Sequence, residues 1–149
     1  MKSVDIIESV LKLKGRQVLF VAPTATVYEA IEKMSEKSVG SLLVMSDGQL
    51  AGIISERDYA RKVILKDRSS KQTQVREIMT TPVITVTPAD TVEECMRTMT
   101  ENRIRHLPVV DRDRVVGVVS IGDMVNWIIT AHEETIGHLQ SYIAGQYPG

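Results

Sequence analysis

Two short runs carry residue types that chemistry can use. Ser55-Glu56-Arg57-Asp58 and Ser120-Ile121-Gly122-Asp123 each set a hydroxyl three residues before a carboxylate, directly after the apolar runs Gly52-Ile53-Ile54 and Gly117-Val118-Val119. A strand that turns into a helix at this point leaves free N–H groups at the helix start, and these can hold an anion such as phosphate. A carboxylate beside them can accept from both hydroxyls of a ribose. The same pair also serves as a helix cap, the Ser oxygen accepting from the first turn and the acid facing the positive helix end. For Thr26-x-x-Glu29 and Thr91-x-x-Glu94, which have the capping-box spacing, capping accounts for the residues.

The elements that must position these pairs occur twice. A shift of 65 positions lays Val18 to Ile64 over Val83 to Ile129 without a gap, matching Pro23 to Pro88, Thr26 to Thr91, Met34 to Met99, Leu42 to Leu107 and Val44 to Val109. A register that keeps Pro, Gly, Ser and Asp as well as apolar residues implies one supersecondary unit used twice. Within it, Val18 to Val21 and Val83 to Val86 read as strands closed by Pro23 and Pro88. Val27, Ala30, Ile31 and Met34, then Val92, Cys95, Met96 and Met99, form helical stripes. Ser41 to Met45 and Leu50 to Ile54 flank Asp47-Gly48, a strong hairpin signal. A second helix follows, from Glu56 to about Leu65. The fold class is α/β with two β-α-β-β-α repeats.

The divisions expected are a helix over 1–15, the first repeat over 16–65, a polar linker over 66–74, the second repeat over 75–130 and a helical extension with tail over 131–149. The first helix, with Ser3 as cap, Gly15 as stop and Val4, Ile7, Val10 and Leu11 on one face, precedes the repeat and is expected to pack on it. Val75 to Met79 reads as a short helical turn. The last helix runs on to about Ala144, where Gly145 stops it, with Ile136, Leu139 and Ile143 as a fresh apolar stripe for the first helix or a second subunit.

Eighteen basic and nineteen acidic residues leave a formal charge of −1, which gives no general reason to bind nucleic acid or an anionic membrane. The single cysteine, Cys95, excludes an internal disulfide and a Cys-rich metal site, and falls at a core position opposite Ala30. No signal or membrane-spanning run is present, so a cytoplasmic protein is expected. His132 and His138 are spaced six apart, a poor metal pair. Arg57, Arg61, Lys62, Lys66 and Arg68 read as a charged helix face, and Tyr59 and Trp127 as packing residues. No nucleophile with a base and no metal cluster is evident, so no catalytic residue, enzyme activity or metal is expected.

Leu19 to Val27 and Ile84 to Val92 follow apolar-x-Val-x-Pro-x-x-Thr-Val; Arg105-His106-Leu107-Pro108-Val109-Val110 and the doubled Gly-x-x-Ser-x-x-Asp complete a set that resembles a pair of cystathionine-β-synthase (CBS) domains, the Bateman module. The resemblance covers about residues 16 to 130 and looks like a stand-alone module. It implies two units packed through their sheets about a pseudo-twofold axis, with two clefts for an adenine nucleotide: AMP first, with ATP, ADP or NAD as relatives. Asp58 and Asp123 would hold ribose hydroxyls, and Ser55 and Ser120 would lie near phosphate or ribose. Arg57, Gly122, Arg105 and His106 match phosphate-contacting positions, and the adenine would lie near Leu107-Pro108. S-adenosylmethionine presents the same ribose. The first repeat has Gly40 and Ser41 where the second has Arg105 and His106, so the clefts differ and phosphate donors are expected to be shared across the axis. The resemblance further implies a regulatory homodimer that signals by conformational change to an unknown protein. The alternative is an assembly module acting through its terminal helices.

Overall fold

The computed structural model describes residues 5–131. The elements are α1 (Ile7–Lys14), β1 (Phe20–Val21), α2 (Val27–Lys37), β2 (Ser41–Ser46), β3 (Gln49–Ser55), α3 (Glu56–Lys62), α4 (Val92–Asn102), β4 (His106–Asp111), β5 (Arg114–Ser120) and α5 (Ile121–Ala131), with 3-10 turns at Ile64–Lys66 and Val75–Glu77. Two β-α-β-β-α repeats are present, and the turn expected at Val75 forms. The helix expected from Glu56 to Leu65 ends at Lys62 and tightens into the first 3-10 turn. α1 begins at Ile7 with Ile6 as its N-cap residue, later than the start expected at Ser3; Ser3, Val4, His132, His138 and the stripe Ile136, Leu139 and Ile143 lie outside the described residues.

Both hairpins repeat in detail. β2 pairs antiparallel with β3 and β4 with β5, each with a register shift at the same place, between Val44 and Met45 and between Val109 and Val110. Asp47 and Gly48 turn the first hairpin at φ 52 and 76, while Arg112 and Asp113 turn the second at φ 52 and 64. Two successive positive φ values match the right-handed twist of the strands.

The outer strand differs between repeats. β1 pairs in parallel with β2 through Phe20–Leu43 and Val21–Val44, but the strand expected over Val83 to Val86 reduces to one bridge between Val86 and Val109. The cause is Pro108. In the first repeat Leu43 donates its N–H to the carbonyl of Leu19 at 3.1 Å. The equivalent of Leu43 is Pro108, which has no N–H to offer Ile84.

Each repeat has its own core. Val27, Ala30, Met34, Leu42, Val44, Ile54 and Val63 form the first with Val75 and Ile78; Val92, Cys95, Met99, Leu107, Val109, Val119 and Met124 form the second with Ile7, Val10 and Leu11. Leu43 and Pro108 project from the other faces of their strands and are also buried, so each hairpin is covered on both sides.

The segments that complete the cores are exchanged. α1 precedes the first repeat, yet it packs on the second half of the duplicated unit. The segment from Thr73 to Met79 lies before the gapless register of the second half, which opens at Val83, and packs on the first repeat. Their backbone anchors match pair for pair. Ile7 and Glu8 donate to the carbonyls of Asp90 and Pro88, as Val75 and Arg76 donate to those of Ala25 and Pro23, all at 2.8–2.9 Å. Val92 donates to the carbonyl of Asp5 as Val27 does to that of Thr73. Tight contacts match too: a Cβ on Gly117 would stand 2.6 Å from Leu11 Cδ2, and one on Gly52 would stand 2.6 Å from Met79 Sδ. α5 lies against α1, where Trp127 Nε1 donates to Asp5 Oδ1 at 3.2 Å.

Candidate functional site

The strand-exit pairs begin as caps. Ser55 Oγ accepts from the N–H of Asp58 at 3.2 Å, and Asp58 Oδ2 accepts from the N–H of Ser55 at 2.9 Å. Ser120 and Asp123 repeat this at 3.1 and 2.8 Å. Such a reciprocal pair satisfies two backbone donors that the helix start leaves free. It also fixes each carboxylate just past the second strand of its hairpin, on the wall of a cleft.

Two clefts result, both made across the repeat boundary. The larger holds about 740 Å³. The first repeat lines it with Gly40, Ile53, Ser55, Glu56, Arg57, Asp58, Arg61 and Lys62, joined by Thr80; the second repeat adds Asn102 to His106. Asp58 Oδ1 stands 3.0 Å from Lys62 Nζ and accepts from Thr80 Oγ1 at 3.3 Å. The smaller cleft holds about 320 Å³. Ser38 to Ser41 and Leu43 of the first repeat face Val118, Ser120 and Asp123 of the second, with Lys14, Gln17, Leu19 and His106 completing the wall.

Of the residues expected from sequence, Ser55, Arg57, Asp58, Arg105 and His106 come together in the larger cleft, and Ser120, Asp123 and His106 in the smaller. Arg105 thus lines the cleft that also contains Asp58 of the other repeat. Leu107 and Pro108 line neither cleft. Leu107 is fully buried in the second core, and Pro108 is buried with its carbonyl accepting from Val86 N at 3.0 Å. The apolar walls come instead from Ile53 and Ile104 in one cleft and from Leu19, Val39, Leu43 and Val118 in the other. Gly122 is exposed at the start of α5, outside both linings.

Sequence reading missed Lys14, Thr80 and Arg103, and took Arg61 and Lys62 for a solvated face. The signal available for Arg61 and Lys62 was helical spacing: they follow Asp58 by three and four residues and so share its side of α3. Lys14 had no comparable signal, because α1 lies outside the duplicated register.

The electrostatics differ between the clefts. Arg57, Arg61, Lys62, Arg103 and Arg105 stand against Glu56 and Asp58 in the larger. Lys14 and Asp123 are the lysine and the carboxylate of the smaller, their charged atoms 2.7 Å apart. His106 lines both. Burial is the main cause that pushes its pKa below the ordinary imidazole value; Asp123 acts against this, Arg105 and Lys14 act with it. The imidazole is then neutral at neutral pH and can accept as well as donate. No group of His, Cys, Asp and Glu among the described residues could hold a metal ion. No helix among them is long and apolar enough to cross a membrane.

Comparison with known proteins gives this geometry a family context. The family model described as the CBS domain matches residues 10–65 and again 75–130. A mitochondrial CBS domain-containing protein of Arabidopsis thaliana, CBSX3, is 45% identical over 150 residues, spanning 95% of this chain and 73% of that protein. Among solved structures, a protein with CBS domains from Burkholderia ambifaria superposes with a TM-score of 0.82 at 48% identity, over 84% of this chain and 94% of that one. The CBS domain pair of protein MJ0100, in complex with 5-methylthioadenosine and S-adenosyl-L-methionine, superposes with a TM-score of 0.74 at 25% identity, over 85% and 97%.

Proposed function

The chain belongs to the CBS-domain family as a tandem pair, and we propose that it is a regulatory sensor that binds a phosphorylated adenosine ligand, AMP or its relatives ADP, ATP and NAD, between its repeats. One observation carries this reading: Ser55 and Asp58 of the first repeat face Arg103, Arg105 and His106 of the second across a single cleft of about 740 Å³. That volume lies in the range of small-molecule sites. In this reading Asp58 exchanges its contacts with Thr80 and Lys62 for ribose hydroxyls, and the freed lysine joins the guanidinium groups as a phosphate donor. The ligands of the MJ0100 pair share the adenosine but carry no phosphate, whereas the cations of this cleft favour one.

A ligand held this way touches both repeats and stabilises the relative orientation in which carboxylate and cations converge; a partner protein can read that orientation. Thermal melting against AMP, ADP, ATP, NAD and S-adenosylmethionine tests it. A ligand at a hundredfold excess over its Kd adds about 2.7 kcal/mol to the folded state. A rise in Tm that Asp58→Ala removes is the expected result; no shift with any of the panel, in protein stripped of carried-over nucleotide, defeats the reading.

The homodimer and the assembly role have their own support. Val125 and Ile129, one turn apart on α5, are 43% and 50% exposed and form an apolar stripe leading toward residue 131. Truncation after Thr130 should lower the oligomer mass measured by light scattering; an unchanged mass counts against these helices as the interface. The buried thiol of Cys95 suits a reducing compartment, and the cytoplasm is the assignment that cell fractionation tests.

A further inference from the structure

The two clefts share one plan but not one charge. At the shift of 65 positions, Arg57 of the larger cleft becomes Gly122, Lys62 becomes Trp127, and Arg103 and Arg105 stand where the first repeat has Ser38 and Gly40. Each cation has lost its counterpart. The smaller cleft still contains a lysine, and it comes from outside the repeat register: Lys14, at the end of α1, donates from Nζ to Asp123 Oδ2 at 2.7 Å and to the carbonyl of Val118 at 2.7 Å. α1 holds this lysine in place, since Ile7, Val10 and Leu11 are buried to 1% exposure or less in the second core.

We propose that the smaller cleft takes an adenosine ligand carrying no more than one phosphate, with Lys14 as the residue that meets its anion. This rests on the adenosine reading above. Without ligand, Lys14 neutralises Asp123. When ribose hydroxyls take over the carboxylate, the ammonium turns to the phosphate without leaving the cleft, because its backbone is fixed. A second or third phosphate would bring further negative charge to a site with one lysine, less than half the volume of its neighbour, and a carboxylate close by. The larger cleft, with five cations against two carboxylates, accepts such a ligand. His106 adds no fixed charge to either side when neutral.

Calorimetric titration with AMP and with ATP counts the sites. The wild type should bind two AMP but one ATP per chain. Lys14→Met, which keeps the length of the side chain, should bind one AMP and leave the ATP site unchanged, and Lys14→Arg should restore two; circular dichroism melts of each variant verify folding. Two AMP sites in Lys14→Met, or an additional site that appears only in that variant, overturn the proposal, as does ATP filling both clefts of the wild type. Failure of the wild type to bind either nucleotide defeats the adenosine reading itself, and the proposal with it. An effect confined to Asp58→Ala, with none from Lys14→Met, leaves that reading standing and removes only the role given to Lys14.

Discussion

Arg57 reaches out of the first repeat and donates from Nη1 to the carbonyl of Arg103 in the second, at 3.0 Å. The bond joins the two walls of the larger cleft at a point that a bound phosphate would share. A guanidinium has five N–H donors, so it can keep the carbonyl and meet a phosphate together.

Arg57→Ala should therefore weaken AMP binding about tenfold or more, on the scale of about 1.5–3 kcal/mol for a hydrogen bond to a charged group. Arg57 is exposed, so the change in folding stability should stay within about 0.5 kcal/mol. Lys should restore the affinity only in part, since a single ammonium cannot hold both acceptors in a fixed plane. Calorimetry and urea unfolding of both variants read the two effects separately.

The burial of His106 sets the sign of an expected pH dependence. Burial, the largest influence, holds its folded pKa below the unfolded value, so the unfolded chain takes up the proton first as pH falls. Its contribution is present above the unfolded pKa, about 6.5 for an imidazole, and is lost as pH falls through the lower folded value. Urea midpoints measured from pH 8 to pH 5 should fall more steeply for the wild type than for His106→Gln. Parallel slopes would show that the imidazole does not sense its burial.

Gly52 and Gly117 should be intolerant of a methyl group. The Cβ of Gly52→Ala would meet Met79 Sδ at 2.6 Å and the backbone carbonyl of Thr80 at 3.1 Å; that of Gly117→Ala would meet Leu11 Cδ2 at 2.6 Å. Overpacking of this kind costs about 1–3 kcal/mol. Gly52→Ala should be the more costly, because a backbone atom cannot rotate away. Hydrogen exchange should show α1 loosened by Gly117→Ala and the segment around Met79 loosened by Gly52→Ala.

Cys95 should resist alkylation. Its side chain is 1% exposed, and burial, with Asp90 and Glu94 adding to it, pushes the thiol up to about 12. Since the thiolate is the reactive form, iodoacetamide at pH 8 should label the folded protein no faster than it unfolds and label it fully in urea. Mass spectrometry distinguishes the two.

Much of this was legible in the chain. Turn residues, caps and apolar stripes are local signals: Asp47-Gly48 marked its hairpin by itself, its equivalent being Arg112-Asp113, while Ser55-x-x-Asp58 and the stripe of α4 were supported by their counterparts in the alignment of the halves. Contacts between halves are another matter. A repeat register says which residues are equivalent and nothing about which ones touch, so Arg103 opposite Asp58 had no signature. The same limit concealed which repeat α1 packs on. Its equivalence to the segment at Thr73–Met79 runs at a spacing of 68 positions, not 65, as Asp5 and Thr73 or Leu11 and Met79 show, and a gapless comparison begun at Val18 passes over it. Pro108 misled for a different reason: a missing N–H shortens the partner strand over Val83 to Val86, not the strand that contains the proline.

The exchange of leading segments makes each half of the chain a donor to the other. A cut among residues 67 to 72 would sever the covalent link between repeats, yet the amino-terminal piece would still insert Ile7, Val10 and Leu11 into the carboxy-terminal piece and receive Val75 and Ile78 in return. Nicked protein should therefore co-purify as a complementing pair, and either piece expressed alone should be unable to complete its own interior. The duplicated module is in this sense indivisible: its evolutionary unit and its folding unit are offset by one segment.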